Sequence, residues 1–130
     1  MSVPCVYDAG VLTAIDSDDR RMWARHHIAL EEGRRLIVPA VVVGQVWRDG
    51  RRQVVLSRFL RSCEVEPTDL ETAKAAGVLC GKSDTRDVVD AVVVVIALRH
   101  GGIIYTSDVP DIAALSAASG VRHAPVIRKV

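Results

Sequence analysis

Asp87-Val88-Val89-Asp90-Ala91-Val92-Val93-Val94-Val95-Ile96-Ala97-Leu98-Arg99-His100-Gly101-Gly102-Ile103-Ile104-Tyr105-Thr106-Ser107-Asp108 is the stretch whose reading decides the fold. Four consecutive valines suit a strand. Ala91, Ala97 and Leu98, however, extend the apolar run to helical length, and a glycine pair marks its end. The reading is a helix over 87–99, too apolar to face water, followed by a buried strand over 103–106. A covered helix feeding a short aliphatic strand is the repeating step of a parallel α/β sheet.

The alternation continues in both directions. Towards the N-terminus, strands are expected over 2–7, 36–38 and 63–66. Between them, helices are expected over 9–15, 20–32, from Pro39 to near Gly50, 51–61, and from Pro67-Thr68-Asp69 to about Leu79. The acidic cluster at 16–19 supplies a helix cap, Gly33 and Gly81 supply stops, and Pro39 falls in a first turn, where its missing N–H costs nothing. Beyond Asp108, a helix over 110–119 and an edge strand over 125–128 complete the pattern. The expected fold is α/β: a single Rossmann-like domain over residues 1–130, with a mostly parallel central sheet and helices on both faces.

The composition agrees. The chain has 130 residues, 49% hydrophobic and mostly aliphatic, with 4% aromatic and 25% charged, which excludes intrinsic disorder and suits a buried parallel sheet. A net charge of +1 excludes a strongly basic arm but leaves room for a segregated cationic patch. Cys5, Cys63 and Cys80 are odd in number and lack metal-site spacing, so they read as buried reduced thiols of a cytoplasmic protein. No basic-then-apolar leader is visible, and the longest apolar run, 91–98, is too short to span a bilayer, so no membrane association is expected.

In open α/β sheets, ligands bind beyond the carboxyl ends of the strands. Asp8 follows the first expected strand, Asp108 follows the strand at 103–106, and Asp90 lies in the first turn of the long helix, with Asp87 one turn earlier. Converging carboxylates repel, and a hard divalent cation such as Mg²⁺ or Mn²⁺ relieves the repulsion. Each acid also has a plainer role available. Asp8 and Asp108 can cap the helices that follow them, Asp87 can complement a helix dipole, and Asp84 can serve a turn. Asp90 is harder to reassign, because it opens a run that cannot face solvent.

Four stretches resemble the PIN domain family, in particular the VapC-like toxins of bacterial toxin–antitoxin pairs. They are Val6-Tyr7-Asp8-Ala9-Gly10; Ile37-Val38-Pro39-Ala40 with Gln45-Val46-Trp47-Arg48; Asp87-Val88-Val89-Asp90-Ala91 with Ala97; and Thr106-Ser107-Asp108 with Asp111. The resemblance implies a PIN-like sheet and Mg²⁺- or Mn²⁺-dependent hydrolysis of RNA. It implies catalytic and metal-binding roles for Asp8, Asp90 and Asp108, with Thr106 positioning that site and Asp111 an accessory acid. Asp87 joins as a neighbouring acid on the same helix face. The resemblance further implies a homodimer and a cognate antitoxin whose tail occupies the site.

One position departs from the family pattern. A Glu is usual on the helix after the Val-Pro step, and here Gln45 stands there, bringing an amide oxygen but no charge. Asp49 follows four residues later as a remote substitute. The departure supports an alternative: a PIN-like domain with a degenerate acidic site that binds RNA or a partner without cutting. Arg48, Arg51 and Arg52 open the most basic stretch and are the expected RNA-phosphate contacts, or else part of a solvated helix face. His26 and His27 read as surface residues. A signalling receiver is disfavoured, because the third strand runs into Glu66-Pro67 rather than a phospho-acceptor Asp.

Overall fold

A computed structural model describes residues 2–130. The elements alternate as expected: β1 (Cys5–Tyr7), α1 (Ala9–Asp16), α2 (Arg20–Glu31), β2 (Leu36–Pro39), α3 (Ala40–Val46), α4 (Val54–Arg61), β3 (Glu64–Glu66), α5 (Leu70–Ser83), α6 (Val88–His100), β4 (Ile103–Thr106), α7 (Val109–Ala118) and β5 (Ile127–Lys129). All strand pairings are parallel, in the order β3-β2-β1-β4-β5.

This order places the site. From β1 the chain steps outward to β2 and β3; it then returns across the sheet to β4 and continues to β5. Right-handed crossovers put the helices of the two directions on opposite faces. Accordingly α1 packs with α2, α3 and α4, while α5, α6 and α7 pack with one another. The winding reverses between β1 and β4. Their register pairs Cys5 with Ile103 and Tyr7 with Tyr105, so Asp8 and Asp108 leave the same edge of the sheet on either side of the switch point.

The four valines are helical. In α6, Val92, Val93 and Val94 are fully buried, because the helix is covered by the sheet and by its neighbours α5 and α7. Gly101, at φ 66°, ends it in the left-handed conformation that glycine adopts without strain. β1 is buried along its whole length, as the central strand of a parallel sheet must be.

Several boundaries differ from the sequence reading. β1 begins at Cys5, because Pro4 has no N–H to donate to a ladder. α5 runs past Gly81 to Ser83 and stops at Asp84, itself left-handed at φ 55°. α3 ends at Val46 rather than near Gly50, and residues 47–52 form a turn knotted by Gln53. The buried Gln53 side chain accepts from the N–H groups of Arg48 and Asp49 at 2.7 and 3.1 Å and donates to the Val46 carbonyl at 2.9 Å. One amide thus satisfies backbone groups that a continued helix would have paired. Arg51 and Arg52 therefore lie on a turn, and Asp49 does not share a helix face with Gln45.

His26 corrects a further expectation: it is buried, while His27 is exposed and stacks on Trp23. The Ser62 hydroxyl donates to the Phe59 carbonyl at 2.7 Å, so its oxygen accepts from His26 Nε2 at 2.7 Å. His26 Nδ1 then accepts from the Tyr7 hydroxyl at 3.2 Å. Every member of the chain is satisfied with the imidazole neutral, and burial lowers the His26 pKa to about 4.

Candidate active site

Asp8 is the N-cap of α1, and 4% of its surface is exposed. Oδ1 accepts from the N–H of Ala9 at 2.8 Å, and Oδ2 accepts from the Thr106 hydroxyl at 2.7 Å. Thr106 is fully buried and its oxygen also accepts from the Asp108 N–H at 2.9 Å. This hydroxyl ties the end of β1 to the loop after β4, so two acids 100 positions apart in sequence share one rigid support. Each Asp8 oxygen keeps a lone pair free.

The same loop approaches α1 closely. A Cβ on Gly10 would lie 2.5 Å from Ser107 Oγ and 2.8 Å from Ser107 Cβ, so only glycine lets the Thr106-Ser107-Asp108 turn sit against α1.

Asp90 lies in the first turn of α6, 6% exposed, and its N–H donates to Oδ1 of the helix cap Asp87 at 3.0 Å. Asp90 Oδ2 is buried and has no hydrogen-bond partner. Burial, then repulsion from Asp8 and Asp87, raises the Asp90 pKa to about 7. Partial burial and the neighbouring Asp111 raise Asp108 as well. One carboxylate oxygen each from Asp90, Asp108 and Asp111 lie within 4.8 Å of one another. Beside them, a cleft of about 260 Å³ opens between the 83–85 turn and α7, lined by Ser83, Asp84, Thr85, Asp90, Asp111 and Leu115.

A buried carboxylate oxygen without a hydrogen-bond partner, on an acid clustered with other acids, is what a hard cation corrects, so the residues present fit Mg²⁺ or Mn²⁺. Asp111, an accessory acid in the sequence reading, belongs to the tightest trio. Asp8 lies beside that trio, near enough for its charge to raise both Asp90 and Asp108. Asp87 acts as a helix cap at the rim. Gln45, in the last turn of α3, is exposed and makes no hydrogen bond to the acids among the described residues. The Arg48 guanidinium is held by the carbonyls of Gly44 and Trp47, at 3.1 and 2.7 Å, and Arg51 lies 3.5 Å from Asp49, while Arg48 and Arg52 make no ion pair among the described residues.

A doubly wound, all-parallel sheet with carboxylates at its switch point is a Rossmann-like architecture. By sequence, no family model and no curated protein matches the chain. By structure, the chain is similar to VapBC2 from Rickettsia felis, solved bound to a DNA fragment from its promoter. The TM-score is 0.71 at 10% identity over 98% of this chain and 99% of that one. It is also similar to DNA-bound VapBC from Salmonella typhimurium, with a TM-score of 0.69 at 13% identity over 98% of each chain. The fold is shared over nearly the whole length at a sequence identity of 10–13%.

Proposed function

We propose that the chain is a VapC-like, metal-dependent endoribonuclease. The observation that carries the reading is the unpartnered, buried Oδ2 of Asp90 within the carboxylate cluster, on a fold shared with VapBC structures. Asp8, Asp90 and Asp108, joined by Asp111, would hold Mg²⁺ or Mn²⁺. When bound, the ion supplies Lewis acidity towards a phosphodiester and lowers the pKa of attacking water.

The chain's own groups do the rest. The Thr106 hydroxyl and the Ala9 N–H fix the Asp8 carboxylate, so its lone pairs are oriented in advance. Asp90, raised to about 7, holds a proton for part of the time at neutral pH and gives it up when positive charge arrives. Asp108 and Asp111 stand at the open side, where a phosphodiester can approach. Free cations outside the pocket, Arg52 among them, favour a polyanion without reading its sequence. A cognate antitoxin is the partner that the VapBC neighbours suggest for this chain, and a homodimer is its expected assembly.

Purified protein should cut RNA with Mn²⁺ and stop in EDTA. Loss of the cut in Asp90→Asn assigns it to this site, whereas equal cutting by the variant would assign it to a contaminant. The second reading, a binding module with a degenerate site, rests on the uncharged, exposed Gln45. It is favoured if the parent chain is inactive and Gln45→Glu creates cleavage.

A further inference from the structure

The most convergent cationic surface is not the one at residues 48–52. α2 and strand β5 enclose a groove of about 340 Å³. Arg25, Arg34, Arg128 and Lys129 line it, together with Tyr105 and Ile28. Glu32 is the one carboxylate at its rim, and it pairs with Arg34 at 3.1 Å. Arg25, Arg128 and Lys129 form no ion pair among the described residues. The Arg25 guanidinium instead reaches the Lys129 carbonyl at 3.2 Å, which holds helix and strand together across the groove.

Position connects this groove to the acidic site. β5 pairs Arg128 with Tyr105 and Lys129 with Thr106, the residue whose hydroxyl supports Asp8 and Asp108. Adjacent strands lie about 4.8 Å apart. The backbone at the Lys129 end of the groove is therefore about one strand spacing from Thr106, two residues before Asp108, with the groove on the α2 face of the sheet and the acids' cleft on the α5–α7 face. Three uncompensated cations in one concavity attract a polyanion, and guanidinium groups match phosphate oxygens in fork geometry.

We infer that the α2–β5 groove is a phosphate-backbone track that holds single-stranded RNA as it runs to the acidic site. This rests on the ribonuclease reading for the ligand's identity, but it is tested by binding alone. The full chain is kept in EDTA, so that nothing is cut, and titrated with a labelled oligouridylate of about 12 nucleotides at several salt concentrations. Each phosphate contact to a single strand contributes about 0.7 to the slope of log affinity against log salt. Arg25→Gln/Arg128→Gln is expected to lower affinity at least about tenfold at low salt and to reduce the slope by about 1.4. Unchanged melting shows that the variant is folded, and Arg128→Gln alone, which leaves the Arg25–Lys129 tie intact, should give about half the slope change.

Parent-like affinity and slope in the double variant would overturn the inference. So would a loss seen only with Arg51→Gln/Arg52→Gln. Displacement of the oligonucleotide by a polyglutamate peptide of equal charge would mark a surface for acidic protein instead, and would also overturn it. Binding that depends on Arg25 and Arg128 in a chain that never cuts RNA would leave the track standing and sink the nuclease reading. Cleavage with no dependence on these residues would do the reverse.

Discussion

Asp90→Asn should make the metal-free protein more stable. In the folded chain burial and three neighbouring acids, Asp8, Asp87 and Asp108, raise Asp90 from 3.8 to about 7. A shift of that size sets a ceiling of about 4 kcal/mol on the penalty near neutral pH, at about 1.4 kcal/mol per unit. Water reaching the cluster from the open Asp108–Asp111 side screens the repulsion, so the net gain expected from Asn is about 1–2 kcal/mol. For a chain of this size that is about 3–8 °C in Tm. The sign follows from linkage. The folded state holds the Asp90 proton more tightly than the unfolded state, so wild-type stability from this group is full below about pH 4 and is lost as pH rises to about 7. The advantage of Asn should therefore be greatest near pH 7.5 and vanish near pH 4, as measured by calorimetry in EDTA. Saturating Mn²⁺ should raise the wild-type Tm and leave Asp90→Asn nearly unmoved. A variant that melts at or below wild type in EDTA at neutral pH, with a gap insensitive to pH, would refute the idea that these carboxylates repel one another.

Further outcomes follow from other contacts. Thr106→Val removes the hydroxyl that serves both Asp8 and Asp108 and should cost about 1–3 kcal/mol, read by chemical denaturation, together with a weaker Mn²⁺ response in the same melt. Gly10→Ala forces Ser107 aside and should lower Tm by several degrees, with partial recovery in Gly10→Ala/Ser107→Gly, which removes the colliding side chain. Burial depresses His26 to about 4 in the folded chain, so its contribution is present above about pH 6.5 and is lost as pH falls towards 4. In the Asp90→Asn background, which silences the opposing trend, denaturation curves should show about 1–2 kcal/mol lost over that range. Asp84→Gly relieves a left-handed, non-glycine helix stop and should stabilise by up to about 1 kcal/mol in a thermal melt.

Periodicity and punctuation made the element order legible, because aliphatic runs of the right length sit between Gly, Pro and Asp stops. The acids were legible for the same reason: Asp8 and Asp108 are where strands stop, and Asp90 interrupts a run that has no other reason for a charge. What escaped the sequence depends on contacts distant in the chain. The turn at 47–52 is dictated by one buried amide on Gln53, and Gln in an Arg-rich stretch carries no local signal of burial. His26 did leave a trace, since Met22, His26 and Ala29 share a buried helix stripe, but its partners Tyr7 and Ser62 come from elsewhere in the chain. The cationic groove was invisible because Arg25 and Lys129 meet only once β5 has docked. The place of Asp111 in the cluster has no local signal either, because its proximity to Asp90 depends on how α6 and α7 pack.

The clasp between Thr106 and Asp8 spans 98 residues, and it lies on the strand pair at the middle of the sheet. A chain emerging from the ribosome can form its first helices and the β1–β2 pair early, yet it has no partner for the far side of β1 until β4 has been made. The acidic pocket therefore cannot assemble until the sheet closes across its centre and α7 brings Asp111 to the cluster. Any fragment that stops before residue 108 has part of the scaffold and none of the assembled carboxylate cluster.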